Sequence, residues 1–132
     1  MDGQLKEIPL IHYTIIRNSL KCFKFLLING NDPTEKINYF LNYQWDCLAL
    51  SIFYDRQEIR KVLEERGMKI EDNEGVWETA FLTHRIELYN LLIQKNDINS
   101  IQNCFFASII GNWFLGIKEI LKAGIDINSK DI

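Results

Sequence analysis

The tetrapeptide Asp-Ile-Asn-Ser occurs twice in this chain, at 97–100 and at 126–129, each time behind an apolar helix-like run. The two runs are Leu88-Tyr89-Asn90-Leu91-Leu92-Ile93 and Ile117-Lys118-Glu119-Ile120-Leu121. Upstream, Phe23-Lys24-Phe25-Leu26-Leu27-Ile28-Asn29-Gly30-Asn31-Asp32-Pro33 has the same shape, and so does the segment from Ile59 through Gly67 to Ile70. One short unit, a helix closed by Gly or Asn and followed by a turn, is thus present four times. A unit of this size cannot bury its apolar face alone, so it must stack on its neighbours as a solenoid. Such an architecture favours surface recognition over chemistry.

The closing positions are Gly30, Gly67, Asn96 and Gly124, separated by 37, 29 and 28 residues. At each of them Gly or Asn supplies the left-handed residue that ends a helix. Before each lies a helix, B, whose apolar positions recur at spacings of three and four: Cys22, Phe25, Leu26; Ile59, Val62, Leu63; Leu88, Leu91, Leu92; and Ile117, Ile120, Leu121. That spacing makes one stripe on a helix. A shorter helix, A, is expected over 9–17, 46–54, 75–83 and 102–110, with Thr14, Ser51, Ala80 and Ala107 as the small residues that let the two helices approach. Asn18-Ser19, Asp55-Arg56, His84-Arg85 and Gly111-Asn112 are the turn formers and N-cap residues between A and B. The repeats span about 8–42, 43–73, 74–101 and 102–132 of a single domain.

These residues resemble ankyrin repeats, whose pattern runs Thr-Pro-Leu-His-x-Ala-Ala, then Gly, then Glu-Ile-Val-x-x-Leu-Leu, then Gly-Ala-Asp. Pro9-Leu10-Ile11-His12 partly echoes the opening, Glu58-Ile59 and Glu87-Leu88 match the start of helix B, and Gly124-Ile125-Asp126-Ile127-Asn128 matches the closing turn. The resemblance covers about residues 8–132 and implies an all-α, ankyrin-like solenoid of about four stacked helix-turn-helix repeats. It departs from the family in repeats two to four, where Cys47-Leu48-Ala49, Val76-Trp77-Glu78 and Cys104-Phe105-Phe106 replace the helix-capping opening. The gaps of 28 and 29 residues imply clipped turns with both helices kept. The longest gap carries an insertion, 34–41, behind Asp32-Pro33, and a short extra helix is expected there. Tetratricopeptide repeats are the competing period; they need longer helices and no Asp-Ile-Asn turn.

Little in the chain suggests catalysis. His12 falls where the family places a helix-A histidine bonded to neighbouring backbone, and His84 falls in an A–B turn. Cys22, Cys47 and Cys104 are odd in number and too far apart for a disulfide framework or a zinc site. The segment 111–116 has two glycines but no Lys-Ser/Thr of a phosphate loop, and Glu64-Glu65 reads as a solvated face. No cofactor, no metal and no enzymatic activity are expected. Net charge is −3 with both signs interspersed, so no basic tract exists to grip nucleic acid. The amino terminus is polar, and no apolar run approaches the roughly 20 residues that span a bilayer. An intracellular, cytoplasmic protein is therefore expected, with no membrane partner.

The expected function is that of a non-catalytic scaffold or adaptor that binds a protein partner; the alternative is a targeting or regulatory segment of a larger enzyme or signalling polypeptide. In a stack of hairpins the A helices and their turns line the concave side. Arg17, Tyr43, Trp45, Phe53, Tyr54, Trp77 and Thr83 are the candidate partner-binding residues, because Tyr, Trp and Arg anchor interfaces. Trp45 and Trp77 have a second reading, as packing between repeats in place of the missing caps. The last repeat carries Phe105, Phe106, Ile109, Trp113, Phe114, Ile117 and Ile120 with few charges, where a terminal repeat needs a polar face. Ser129-Lys130-Asp131-Ile132 reads as the opening of another hairpin. Both features point to further repeats or to self-association.

Overall fold

A computed structural model describes residues 8–39, 43–92, Cys104 and 106–122. The expected turns at Asn96 and Gly124, both Asp-Ile-Asn-Ser segments, Phe105 and the closing segment 129–132 lie outside these residues. The chain divides into two compact units, Met1–Lys69 and Ile70–Ile132. The described residues are mainly helical.

In the first unit, helix α1 (Leu10–Ile16) is followed by α2 (Leu20–Ile28), and α3 (Cys47–Phe53) by α4 (Gln57–Glu65). Each pair forms a helical hairpin. The two hairpins stack, with α1 on α3 and α2 on α4. In the second unit a 3-10 turn (Ile70–Asp72) leads into α5 (Glu74–Leu82) and α6 (Ile86–Leu92). Cys104 and residues 106–110 are helical and are labelled α7; α8 is Phe114–Lys122.

The four A–B turns share one backbone design. Asn18, Asp55, His84 and Asn112 all have φ between 55° and 60°, the left-handed region that few residue types other than Gly, Asn and Asp enter readily. Behind each, an amide donates back across five residues: Ser19 to the Thr14 carbonyl, Arg56 to Ser51, Arg85 to Ala80 and Trp113 to Ser108. In three of the four the left-handed residue also donates back across three, Asn18 to Ile15, Asp55 to Ile52 and Asn112 to Ile109. These are the paired bonds that satisfy the last carbonyls of a helix. Helices α2 and α4 end the same way, at Gly30 (φ 91°) and Gly67 (φ 99°), as the sequence predicts.

Several expectations are corrected. In the fourth hairpin the left-handed residue is Asn112 and the small residue facing the turn is Ser108, so the register runs one residue later than Gly111 and Ala107 imply. Neither Ser19 nor Arg56 caps its helix with a side chain; the backbone bonds serve instead. The missing Thr-Pro-Leu-His openings are replaced by Asp46, whose carboxylate accepts from the Ala49 amide at 3.0 Å, and by Asn73, which accepts from Val76 at 3.2 Å. In the first helix B the buried residues are Phe23 and Leu27, while Phe25 is 64% exposed, Cys22 is exposed and Leu26 is half-buried. The stripe has turned by one residue toward the second hairpin, the neighbour this helix packs on.

The described part of the insertion, 34–39, forms no helix. Residues Ile37–Asn38 (β1) pair antiparallel with Gln44–Trp45 (β2), Ile37 opposite Trp45 and Asn38 opposite Gln44. The described fold is thus mainly α with one short β-ribbon rather than strictly all-α. Asp32 does not cap a helix; its carboxylate accepts from the amide and hydroxyl of Thr34 and closes a turn. The Cys47 amide donates to the Pro33 carbonyl and ties the base of the ribbon to α3. Between α4 and α5 there is only the 3-10 turn, in keeping with a clipped connection.

Candidate protein-recognition surface

The β-ribbon brings an aromatic layer onto the helix-A side of the first unit. Tyr39 lies parallel to His12 of α1, with ring centres 6.0 Å apart, and its hydroxyl meets His12 Nδ1 at 2.8 Å. Trp45 is the hub. Its ring lies 5.5 Å from Tyr39, 5.8 Å from Tyr43 and 5.0 Å from Phe53, and Phe53 packs edge-on against Tyr54 at 5.1 Å. Offset-stacked and edge-to-face pairs at these separations are the favourable arrangements of aromatic rings. Trp45 is 1% exposed, whereas Tyr43, Phe53 and Tyr54 are half-buried. One face of the layer therefore belongs to the core and the other meets solvent.

Arg56 locks the layer at its end. Its Nε and Nη2 donate to the carbonyls of Ile15 and Ile16, at 3.0 and 2.8 Å, and its guanidinium stands 5.7 Å from the Tyr54 ring centre. One side chain thereby satisfies the last carbonyls of α1, joins the ends of α1 and α3, and sits over an aromatic face. Arg17, the C-cap residue of α1, is exposed at the same end.

The electrostatics of the layer are those of a dry interior. Burial holds the His12 ring below its ordinary pKa of 6.5, partly offset by the Glu35 backbone and the charges of Asp46 and Glu35. Burial likewise pushes the Tyr39 hydroxyl and the Cys47 thiol well above their ordinary values. Cys104, fully buried in the second unit, is raised for the same reason. Thiols held protonated in this way are poor nucleophiles and poor metal ligands. Among the described residues no three His, Cys, Asp or Glu side chains gather as they would to hold a metal ion. No described helix is long and apolar enough to cross a membrane.

Of the residues singled out in sequence, the structure brings Tyr43, Trp45, Phe53 and Tyr54 together, with Arg17 at the edge. Two of the candidate partner-binding residues are not exposed. Trp45 is the interior hub just described, and Trp77 is buried in α5. Both tryptophans are buried, as the packing reading requires. Trp77 and Thr83 belong to the second unit, where Thr83 is half-buried and spends its hydroxyl on the Thr79 carbonyl at 2.6 Å. Sequence reading missed Tyr39, His12 and Arg56 as members of the layer. Their hydrogen-bond partners lie 27 to 41 residues away, where no local pattern marks them. The chain matches no protein-family model, no curated protein and no solved structure.

Proposed function

We propose that this chain is a non-catalytic protein-binding module made of degenerate ankyrin-like hairpins, and that the aromatic layer of the first unit is its recognition surface. The observation that carries the reading is the split character of that layer. Tyr43, Phe53 and Tyr54 are partly open to solvent while resting on a tryptophan and an arginine whose positions are fixed by burial and by main-chain bonds. Aromatic side chains held rigidly lose little entropy when a partner covers them, which is what makes an anchor residue. The recurrence of one turn geometry in four described hairpins supports the ankyrin-like reading.

The test is a Phe53→Ala/Tyr54→Ala double variant compared with wild type in quantitative affinity capture from the native cell. The partners retained by wild type should be lost by the variant while its unfolding midpoint stays close to wild type. An identical set of proteins retained by a stably folded variant would reject this surface.

A further inference from the structure

Aligning the four hairpins on their left-handed turn residues, Asn18, Asp55, His84 and Asn112, exposes a second regularity. Positions eight and four residues before the turn, and four and eight after it, form one row along the hairpin, because a spacing of four is a ridge on each helix. In the second hairpin that row is Cys47, Ser51, Ile59 and Leu63, and all four are buried in the stack with the first. In the fourth it is Cys104, Ser108, Gly116 and Ile120, again all buried. In the third, Val76, Ala80 and Leu88 are buried.

The first hairpin breaks the series. Its row is Leu10, Thr14, Cys22 and Leu26, of which Leu10 is 66% exposed, Cys22 is exposed and Leu26 half-buried. With Lys21 and Phe25 these residues line a cleft of about 410 Å³. The cleft is the uncovered version of a face that the second hairpin buries against a preceding hairpin. What fits it is therefore defined within the molecule: the opposite face of another hairpin of the same kind.

That opposite face is made by positions three before the turn and five and nine after it. In the first hairpin they are Ile15, Phe23 and Leu27, all buried. In the third, Phe81 and Tyr89 are buried. In the fourth they are Ile109, Ile117 and Leu121, of which Ile109 is 51% exposed, Leu121 is exposed and Ile117 half-buried. Among the described residues the first hairpin thus carries an open receiving face and the fourth an open apolar covering face, whereas the second has the ion pair Arg60–Glu64 at two of its three covering positions, beside the buried Ile52.

We propose that the cleft of the first hairpin receives the fourth hairpin of a second copy, so that chains associate head to tail. The two surfaces differ, so the contact is heterologous and does not use itself up in a closed pair. The inference rests on the alignment of the hairpins and is independent of the aromatic layer.

Sedimentation velocity of the full chain over a rising concentration series tests it. The average mass of wild type should climb past that of a dimer, and alkylation of Cys22 in the cleft should slow as it climbs. Leu10→Lys disables the receiving face and Ile109→Lys the covering face, so each variant alone should stay monomeric. Mixed in equal amounts they should form a dimer that grows no further, since one live cleft meets one live covering face. Circular dichroism checks that each variant keeps its helices; should Leu10→Lys lose them, Phe25→Lys disables the same cleft. A wild-type chain that stays monomeric throughout, a mixture that stays monomeric, or variants that dimerise alone would each overturn the proposal. Unchanged association by Phe53→Ala/Tyr54→Ala would show that any failure here is separate from the fate of the aromatic surface.

Discussion

The two units join their hairpins with the same materials drawn from different places. In the first unit the tryptophan comes from the ribbon (Trp45) and the histidine from the interior of α1 (His12), and Tyr39 links them. In the second, both come from the A–B turns. His84 lies parallel to Trp113 at 5.5 Å and bonds the Gly111 carbonyl through Nε2, while Phe81 and Tyr89 meet the same indole edge-on. Trp113 stands where the other hairpins have Ser19, Arg56 and Arg85. Its bulk is matched by Gly116, which stands where Ile59 and Leu88 fill the other helices. A Cβ on Gly116 would come within 2.4 Å of the Trp113 ring. Gly111 is constrained in the same unit, since a Cβ there would lie 2.7 Å from the Leu82 carbonyl oxygen. The comparison teaches that the turn backbone is the invariant part of this fold. The side chains that fill the space around it can be exchanged in compensating pairs.

The largest effect that would break this comparison is loss of a hub. Trp45→Ala should destabilise the chain by about 3–5 kcal/mol in urea unfolding, the usual cost of deleting a buried tryptophan; a change within error would mean that the ribbon does not hold the hairpins. Next comes the pairing of Trp113 with Gly116. Gly116→Ala should cost about 1–3 kcal/mol by overpacking, whereas Trp113→Arg/Gly116→Ile, which restores the combination found in the second hairpin, should be more stable than Gly116→Ile alone. Additive losses in that double-mutant cycle would refute the exchange.

A third, smaller effect separates the two histidine placements. Because burial lowers the folded-state pKa of His12, the unfolded chain takes up this proton first. Stability should therefore decline as pH falls below the ordinary value of 6.5, and level off once the folded ring is itself protonated. Asp46 and Glu35 soften the decline by favouring the charged ring. Unfolding midpoints at several pH values should show a shallower slope in His12→Asn than in wild type, and equal slopes would remove His12 as the cause. The smallest effect is at the turns. Asn112→Gly should gain less than about 1 kcal/mol by relieving a left-handed residue, and a clear loss would mean that the asparagine side chain has a further role.

Much of this architecture was legible along the chain. Helix A was expected at 46–54 and is found at Cys47–Phe53; at 75–83 the match is Glu74–Leu82. Gly30 and Gly67 end their helices in the left-handed conformation for which glycine is suited. The candidate surface was half legible. An aromatic tract from Tyr43 to Tyr54 is visible as composition, but which of its rings face inward is not. Trp45 pairs with rings on both sides of it in sequence, and Arg56 finds its acceptors about forty residues upstream.

What the sequence alone determined, then, are features set by bonds within a few residues: the ends of the helices before Gly30 and Gly67, the approximate spans of the A helices at 46–54 and 75–83, and the spacing of the turns between them. What only the tertiary structure decided are the choices that depend on a neighbour. Phe23 and Leu27 rather than Phe25 face inward because the second hairpin lies on that side. Within the insertion, residues Ile37–Asn38 form a strand rather than a helix because they find partners at Gln44 and Trp45. Local hydrogen bonds carry their own signature in the order of residues, whereas burial is a property of the space between segments and is fixed only when those segments meet.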